Sequence, residues 1–342
     1  MKFGEIKMKL NFEQIKSVTF GAVSVENTCG IYRFFRFNRA EMDYYAPTNF
    51  MKKSYASAGV TMEFKTDATA LSMYGKLKLG SGRTYYAFDV LVDGTLVGDI
   101  KNFKSEEMIP NYVDNVYDME EFSGKIELGA GEKNVRIVFP WSVSPELYEI
   151  ELVDATYLTP AKKSKSMIIY GDSITQGYDA ESPSRSYASV LAYELDANAI
   201  NKAIGGEVFK PALSAIKNDI SPDYITVAYG TNDWSTRKKE DFMRDSLGFY
   251  TNLSKNYPDA KIFAISPIWR ADETKTTSVG AFMNAEARIK EIADSLDNVI
   301  FISAYDFVPK DTSYYADLRL HPRNIGFDEY AKNLIAKIKE YI

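Results

Sequence analysis

Five short apolar runs in the second half of the chain alternate with longer amphipathic segments. Such runs are typical of strands buried on both faces of a parallel sheet, and the segments between them are typical of covering helices. The alternation predicts a doubly wound α/β domain with about five parallel strands, in which a ligand binds at the carboxyl ends of the strands. The predicted strands are Met167–Tyr170, Ala199–Asn201, Tyr224–Tyr229, Lys261–Ser266 and Val299–Ser303. The predicted helices are Ser184–Leu195, Val208–Asn218, Glu240–Asn256, Gly280–Leu296 and a last one after Gly326.

The first half of the chain has a different periodicity. The run Thr84–Val92 is rich in aromatic and aliphatic residues, and Asp93-Gly94 separates it from a second run that begins at Thr95. An Asp-Gly pair between two such runs indicates a β-hairpin, because glycine accepts the positive φ of a type I′ turn. Further runs of this kind, with a Gly-Ala-Gly turn at Gly129–Gly131, predict an antiparallel β-sandwich or jelly roll. They are Gly124–Leu128, Asn134–Pro140 and Leu147–Val153.

The length of 342 residues favours two domains, because a domain commonly holds about 150 residues. The character of the sequence changes near the polar, basic stretch Thr159–Ser166, which is the best linker candidate. We therefore predict an accessory β-sandwich domain over residues 1–158 and an α/β domain over residues 166–342.

Charge and composition exclude several partners. The chain has 41 Lys and Arg against 47 Asp and Glu, so its net charge of −6 gives no basic field for a phosphate backbone, and we expect no nucleic-acid partner. Cys29 is the only cysteine and cannot close an intrachain disulfide, and Met1–Gln14 lacks the apolar core of a signal peptide. No run approaches the roughly 18 apolar residues of a membrane span. We expect a soluble, cytoplasmic protein without a membrane partner.

Three short blocks place functional groups at the carboxyl ends of predicted strands. Ser173 stands in Gly-Asp-Ser after the first strand, and Gly206 follows Asn201 by five positions after the second strand. Asn232 stands in Gly-Thr-Asn-Asp after the third strand. Each block alone has a simpler interpretation: the serine as a helix cap, the glycine as a turn residue and the asparagine as a local hydrogen-bonding group.

A fourth block, His-Pro, contains His321, the only histidine of the chain. A single histidine restricts metal chemistry, because zinc sites recruit several His or Cys ligands, whereas base catalysis needs only one imidazole. The alternative interpretation is a histidine that caps or packs the last helix.

In this order the four blocks resemble those of the SGNH hydrolases, also called the GDSL esterase and lipase superfamily. The resemblance covers Met167–Ile342, and the residues that match the superfamily name are Ser173, Gly206, Asn232 and His321. It implies a flavodoxin-like domain with Ser173 as nucleophile and His321 as general base, and no metal or other cofactor. It also implies an oxyanion hole made by the backbone N–H groups of Ser173 and Gly206 and the side-chain amide of Asn232.

The acid of the triad departs from the family pattern, in which it stands three residues before the histidine. Leu318 occupies that position here, and the nearest acid is Asp317, four residues before His321. We expect a tighter or bulged turn to absorb the extra residue, so that Asp317 completes the triad. Two alternatives remain open: a Ser-His dyad with the imidazole oriented by a backbone carbonyl, and a solvated turn carboxylate at Asp317.

Aromatic residues in two loops at the same edge are candidates for substrate binding, because they could stack on a sugar ring or shape an acyl pocket. Packing within the loops is the equally simple alternative. The predicted substrate-binding residues are Trp234, Trp269 and Arg270. The acids beside the blocks are expected only to hold loops by hydrogen bonds, without a catalytic role; they are Asp172, Glu207 and Asp233.

A β-sandwich followed by an SGNH domain resembles the arrangement of carbohydrate esterases that remove acetyl groups from plant polysaccharides or oligosaccharides. The likeness implies a serine esterase that forms an acyl-enzyme, with an acetylated small molecule or oligosaccharide as substrate. Alternatives are a short-chain carboxylesterase, a lysophospholipase, a thioesterase or, in another class, a catalytically retired sugar-binding protein. The sandwich could form a wall of the cleft, bind sugar or only stabilise the other domain, and an oligomer is possible.

Overall fold

The structure is a computed structural model that describes residues 6–108 and 116–342. Residues 1–5, where the segment considered for a signal peptide begins, lie outside the described residues. Among the helices of the described ranges, none is long and apolar enough to cross a membrane. The cytoplasmic location stays a prediction.

The first half of the chain forms a β-sandwich. Its strands are β1 (Lys7–Lys9), β2 (Thr19–Phe20), β3 (Ser24–Thr28), β4 (Ile31–Phe35), β5 (Thr61–Thr66), β6 (Ala70–Leu79), β7 (Ala87–Val92), β8 (Thr95–Lys101), β9 (Glu121–Glu127), β10 (Lys133–Val138), β11 (Val143–Val153) and β12 (Leu158–Pro160). One antiparallel sheet has the order β3-β4-β11-β6-β9 with β1 beside β11, and the other has the order β12-β5-β10-β7-β8 with β2 beside β5. Apolar side chains of both sheets, such as Phe34 and Phe88, are buried in one core between them. The predicted sandwich is confirmed.

The hairpin predicted at Asp93-Gly94 joins β7 to β8, and both turn residues have positive φ, 47° and 82°. The turn at Gly129–Gly131 has a different role, because β9 and β10 lie in different sheets and the chain crosses the sandwich between them.

The first half also contains helices that were not predicted from the sequence: α1 (Phe12–Val18), α2 (Arg39–Tyr45), α3 (Met51–Ser54) and α4 (Ser105–Met108). Capping boxes begin the two longer helices, with Asn11 and Gln14 at α1 and Asn38 and Glu41 at α2. Each pair satisfies backbone N–H groups that the first turn of a helix leaves without a partner. This spacing of Asn and Gln or Glu was the sequence signal for both helices.

The second half of the chain contains a parallel sheet of five strands within the described residues, as predicted. They are β13 (Lys165–Gly171), β14 (Ala197–Asn201), β15 (Tyr224–Ala228), β16 (Lys261–Ile265) and β17 (Val299–Ile302), in the order β14-β13-β15-β16-β17. Alternate residues of β13 enter different cores: Met167 and Ile169 lie in one, and Ile168 and Tyr170 in the other. Both faces of the sheet are therefore covered, which is the doubly wound, flavodoxin-like arrangement.

The helices of this half are α5 (Ser173–Gln176), α6 (Tyr187–Glu194), α7 (Pro211–Ser214), α8 (Thr231–Thr236), α9 (Lys239–Asn256), α10 (Met283–Ala293) and α11 (Asn324–Ile338). The helix predicted over Val208–Asn218 is wrong in extent, because only α7 forms there. Pro211 starts that helix, while the preceding Phe209 donates its backbone N–H to Asp233 Oδ1 at 3.2 Å. At the other end Asn218 accepts a hydrogen bond from the buried Lys202.

The stretch predicted as a linker lies between the sandwich and the parallel sheet, but it is not a free connection. Thr159 pairs with Lys65 in the sandwich, and Lys163 forms an ion pair with Glu63 at 2.6 Å. The two halves also share a core that contains Trp141 of the first half. The two halves predicted from the sequence are therefore two sets of sheets that share a hydrophobic core. The exact domain limits stay a prediction.

Candidate active site

Ser173 lies at a tight strand-to-helix turn at the carboxyl edge of the parallel sheet. β13 ends at Gly171, and Asp172 caps α5 by accepting the N–H of Ile174 at 3.0 Å. A Cβ at Gly171 would lie 2.0 Å from Thr175 Oγ1, so only glycine permits this turn. As the first residue of a helix, Ser173 also has a backbone N–H without an intrahelical acceptor.

The side chains of Ser173, His321 and Asp317 form one hydrogen-bonded chain. The Oγ of Ser173 lies 2.8 Å from Nε2 of His321, and Nδ1 of His321 lies 2.9 Å from Oδ2 of Asp317. An ionised carboxylate can only accept, so the proton of the neutral imidazole lies on Nδ1. The free lone pair is then on Nε2, which can accept the proton of the Ser173 hydroxyl.

The turn before His321 absorbs the extra residue between the acid and the histidine. Leu318 adopts a left-handed conformation with φ 55°, and its side chain is 51% exposed. Asp317 Oδ1 accepts the N–H groups of Arg319, Leu320 and His321 at 3.0, 2.7 and 3.1 Å. The departure from the family spacing therefore turns Leu318 outward and leaves Asp317 against the imidazole.

The pKa of Asp317 is held below its ordinary range. Burial acts to raise the pKa of this carboxyl, but the hydrogen bond and charge of His321 and the N–H groups of Leu320 and His321 outweigh that effect. The carboxylate thus stays ionised throughout the neutral range, which keeps the acceptor that orients the imidazole.

Hydrogen bonds connect the loop of the second block to the helix that begins at Ser173, and the third block to the loop of the second. Asn201 Nδ2 donates to the carbonyl oxygen of Thr175 at 2.9 Å, and the N–H of Gly205 donates to Gln176 Oε1 at 2.7 Å. Asn232 Nδ2 donates one hydrogen to the carbonyl oxygen of Glu207 at 3.0 Å, and its second amide hydrogen is left for another acceptor.

Gly206 lies between these two attachments, in the left-handed region at φ 90°. Its N–H has no acceptor within the described part of the chain. The three predicted oxyanion donors are therefore carried by loops that are fixed to one another.

The acids beside the blocks hold loops, as expected from the sequence. Asp233 Oδ1 accepts the N–H of Phe209, Glu207 Oε1 accepts that of Val208, and Asp172 caps α5. Burial raises the pKa of Asp172 to about 6 and that of Asp233 to about 7, and it also raises the pKa of Glu207.

Two of the three predicted substrate contacts are wrong, because their side chains are buried. Trp234 is 0% exposed and donates its indole N–H to the carbonyl oxygen of Gly280 at 2.9 Å. Arg270 is 2% exposed, pairs with Asp272 at 2.6 Å and stacks on the Trp234 ring. Both residues therefore pack the loop interior. Trp269 is half-buried, and its contact with a substrate stays a prediction.

Residues 169–328 match the model of the GDSL-like lipase/acylhydrolase family, a range that contains all four blocks. The second half of this chain is a GDSL-like acylhydrolase domain. This match supports an ester-hydrolysing enzyme.

Solved structures with the same two-part fold cover almost the whole chain at low sequence identity. A salicylyl-acyltransferase from a tetracycline biosynthetic pathway has a TM-score of 0.77 at 20% identity, with 98% of this chain and 97% of that chain covered. A family two carbohydrate esterase from Cellvibrio japonicus has a TM-score of 0.64 at 16% identity, with 98% of each chain covered. An acetyl xylan esterase from the rumen bacterium Butyrivibrio proteoclasticus has a TM-score of 0.61 at 15% identity, with 99% and 98% covered. No curated protein matches the chain in sequence.

The sequence interpretation missed further side chains that contact the candidate site and its loops. Asp179 lies 3.7 Å from His321 Nδ1 and is paired with Arg83 of the sandwich. Arg36, also from the sandwich, donates to the carbonyl oxygens of Asn201 and Ala203 in the loop that leads to Gly206. No short-range pattern connects these residues, because about 100 or more positions separate the partners in each pair.

Proposed function

We propose that this protein is a serine esterase that hydrolyses carboxylic esters through an acyl-enzyme. The observation that carries the proposal is the hydrogen-bonded chain from the Ser173 hydroxyl through His321 to Asp317. A serine hydroxyl is a weak nucleophile at neutral pH, and an imidazole that accepts its proton activates it.

In the first half-reaction Ser173 Oγ attacks the ester carbonyl carbon as its proton moves to His321 Nε2. The carbonyl oxygen becomes an oxyanion, which the N–H groups of Ser173 and Gly206 and the Asn232 amide stabilise. Each donor of this kind contributes about 3–4 kcal/mol to the stability of the transition state. The C–O bond to the alcohol then breaks, and the alcohol leaves with the proton held by His321.

In the second half-reaction a water molecule attacks the acyl carbon and gives a proton to His321 Nε2. The bond between the acyl carbon and Ser173 Oγ breaks, the carboxylic acid leaves, and Ser173 recovers its proton. Throughout both steps Asp317 keeps Nδ1 protonated and stabilises the imidazolium that forms.

We further propose that the physiological ester is an acetylated carbohydrate. Support comes from the two-part fold, which this chain has in common with a family two carbohydrate esterase and an acetyl xylan esterase. The half-buried Trp269 supplies an indole ring 5.5 Å from the ring of Tyr315, in a loop that is hydrogen-bonded to the turn before His321 through Ala271 and Arg319. Ligand sites are commonly lined by aromatic side chains.

The reaction is tested with p-nitrophenyl acetate and a fluorophosphonate probe, on the wild-type protein, Ser173→Ala and Ser221→Ala. Ser221 is exposed and serves as a matched serine control. We expect hydrolysis and labelling in the wild type and in Ser221→Ala, and neither in Ser173→Ala. Full hydrolysis by Ser173→Ala would end the proposal, and a wild-type protein that neither reacts nor is labelled would be a retired, binding protein.

The substrate is tested separately with acetylated xylo-oligosaccharides, esters of graded chain length and a thioester. We expect the acetylated sugars and acetyl esters to be cleaved fastest. Activity that rises steadily from acetyl to decanoyl esters would favour a lipase or lysophospholipase, and preference for the thioester would favour a thioesterase. Equal cleavage of all short esters, with no preference for sugar, would favour a general carboxylesterase.

A further inference from the structure

A second carboxylate lies behind the catalytic imidazole and belongs to no family block. Asp179 Oδ2 is 3.7 Å from His321 Nδ1, the same atom that hydrogen-bonds Asp317 at 2.9 Å. The side chain of Asp179 is fully buried, and its backbone has φ 67°, which is uncommon for a residue other than glycine. A strained, buried acid at this place is held there by its surroundings.

The β-sandwich supplies the partners of this acid. In the connection between β6 and β7, Arg83 donates Nε to Asp179 Oδ1 at 2.8 Å and Nη2 to Oδ2 at 3.1 Å. Tyr85 donates its hydroxyl to the same Oδ1 at 2.6 Å. Two parallel N–H donors fix both the charge and the orientation of a carboxylate. The hydrogen bond and charge of Asp179 raise the pKa of Arg83 against the lowering effect of burial, so the guanidinium stays charged.

The same segment of the sandwich also contacts the ring that lies against the imidazole. The Tyr178 ring stacks on His321, with centroids 5.7 Å apart, and the guanidinium of Arg83 lies 5.6 Å from the Tyr178 ring centroid. Trp141 of the sandwich donates its indole N–H to the carbonyl oxygen of Ala180 at 2.9 Å. The chain from Tyr178 to Ala180 is thus held from the side of the sandwich.

We propose that Arg83 and Asp179 are positioning residues, through which the β-sandwich sets the charge and orientation of the His321 imidazole. A free carboxylate at the place of Asp179 would compete with Asp317 for the Nδ1 proton and would stabilise the protonated imidazole, which cannot act as a base. Arg83 neutralises that charge and binds both Asp179 oxygens, and Oδ2 stays 3.7 Å from Nδ1, beyond hydrogen-bond distance. The inference rests on the proposed role of His321 as general base.

Several charged or titratable groups face His321 within the described residues, and each single substitution at Arg83 or Asp179 below changes only one of them. They are Asp317, Asp179, Tyr178, Ser173 and Asp172, with Arg319 near Asp317 and with Arg83 and Tyr85 behind Asp179.

The experiment is the pH dependence of kcat/KM for p-nitrophenyl acetate in the full-length protein. Arg83→Met leaves Asp179 charged and unneutralised, so we expect the acidic limb of the profile to move upward by about one pH unit. At a pH on that limb the rate should then fall about tenfold, with little change on the alkaline plateau. Arg83→Lys keeps the charge and should keep a profile close to that of the wild type.

Removal of the Asp179 carboxylate should move the acidic limb in the opposite direction. Asp179→Asn leaves Arg83 without its counter-charge, so the acidic limb should move to lower pH. The double variant Arg83→Met, Asp179→Asn should return the limb close to its wild-type position. Arg185→Met, which breaks a half-exposed ion pair with Asp328, is the matched control and should not move the limb.

The inference fails if Arg83→Met retains the wild-type profile, or if the double variant keeps the shift of the single one. If Arg83→Met does not fold, Asp179→Asn alone decides, and a limb that stays in place or moves upward overturns the inference. A failure of the esterase proposal is distinct, because the wild-type protein would then neither hydrolyse the ester nor react with a fluorophosphonate.

Discussion

His321 is the residue on which the proposed chemistry converges, and its two ring nitrogens have different partners. Nε2 faces the hydroxyl of Ser173, and Nδ1 faces Asp317, which also accepts three backbone N–H groups of the same turn. Asp317 therefore has two functions in one carboxylate: Oδ1 holds the turn and Oδ2 holds the imidazole. A substitution that preserves one oxygen can separate them.

Asp317→Asn should leave the turn folded and remove most of the activity. The asparagine Oδ1 can still accept the three N–H groups, while its amide cannot accept the Nδ1 proton. In the triad template, neutralising the acid lowers the rate by roughly 10⁴. We expect a loss of at least about 100-fold in kcat/KM with an unfolding temperature close to that of the wild type.

Asp311→Asn is the matched control for this substitution. Asp311 also caps a turn, by accepting the N–H of Ser313 at 2.9 Å, but its carboxylate is exposed to solvent and does not contact the imidazole. Its activity should be unchanged. If Asp317→Asn retained more than a tenth of the activity, a Ser-His dyad would be the better description.

Asp233 gives a residue-scale prediction about stability. Burial raises the pKa of this carboxyl to about 7, whereas in the unfolded chain an aspartate ionises near pH 4. Between these values the folded protein holds a proton that the unfolded chain has released. The stability contributed by Asp233 is therefore present at low pH and is lost as the pH rises to about 7.

Asp233→Asn removes the ionisable carboxyl, so stability is no longer lost at this position as the pH rises. The asparagine keeps an oxygen that can accept the N–H of Phe209. The variant should gain stability relative to the wild type, with a gain that grows from pH 4 to pH 7 and is level above, on the order of 1–3 kcal/mol. Urea unfolding at several pH values measures it. Asp259→Asn, at an exposed position, should show no such gain, and a gain for Asp233→Asn that is equal at all pH values would contradict the assignment.

At the scale of elements, the sequence predicted what depends on local periodicity. The strands of the parallel sheet begin and end within a few residues of their predicted limits. This agreement arises because short, continuously apolar runs are typical of strands that are buried on both faces of a sheet. The hairpin at Asp93-Gly94 was equally local. Three of the four blocks followed from these strands, since the ends of β13, β14 and β15 fix where Ser173, Gly206 and Asn232 lie.

The elements that were missed depend on contacts between distant segments. α7 is short because Phe209 and Asn218 are used by Asp233 and Lys202, which no local pattern reveals. Trp234 follows the third block directly, yet it turns inward to Gly280. The partnership of Arg83 with Asp179 joins two sheet systems, so the periodicity of either half alone could not predict it.

The turn before His321 is the element where the family spacing and this chain differ. A leucine with φ 55° is strained, because its Cβ approaches the neighbouring backbone, and glycine would relieve that strain. We expect Leu318→Gly to be more stable than Leu318→Ala by up to about 1 kcal/mol in urea unfolding.

The alanine variant is the proper reference, because both substitutions remove the exposed leucine side chain and only glycine removes the Cβ. Leu318→Ala and the wild type should differ little, since the side chain is 51% exposed. A glycine variant that is less stable than the alanine variant would show that the turn leaves this conformation in solution.

At the scale of the whole molecule, residues of the first half bind the carbonyl groups of the loop that follows β14 and carries Gly206. Arg36 donates to the carbonyl oxygens of Asn201 and Ala203, and Lys53 donates to that of Gly205. Burial lowers the pKa of Arg36 to about 9 and also lowers the pKa of Lys53. The N–H of Gly206 has no acceptor among the described residues, as the proposed oxyanion hole requires.

One fully buried ion pair anchors this arrangement. Lys202, next to Asn201, pairs with Glu41 of α2, and both side chains are 0% exposed. Asn218 completes the cluster by accepting from Lys202 at 2.7 Å and donating to Glu41 at 3.2 Å. Burial lowers the pKa of Lys202 to about 8, while the charge of Glu41 opposes that effect. An ammonium in such a place depends on its counter-ion.

Glu41→Gln therefore tests whether the two halves unfold as one body. Glutamine keeps an oxygen for the capping box of α2 and removes the negative charge, so the buried Lys202 keeps its hydrogen bond to Asn218 but loses its counter-ion. We expect a loss of roughly 3–5 kcal/mol at pH 7 in urea unfolding. The loss should be smaller near pH 9.5, because a lysine whose pKa is depressed by folding destabilises less as the pH rises.

Asp43→Asn on the same helix is the control, because its ion pair with Arg39 is exposed and should contribute less than about 1 kcal/mol. Tryptophan fluorescence reports on both halves, since Trp141 lies in the sandwich and Trp234 and Trp269 lie in the acylhydrolase domain. A single transition that moves as a whole in Glu41→Gln is expected, because the halves share a core and this pair. Two separate transitions, of which Glu41→Gln shifts only the one at lower urea concentration, would contradict this expectation. They would mean that the sandwich can unfold while the second half stays folded.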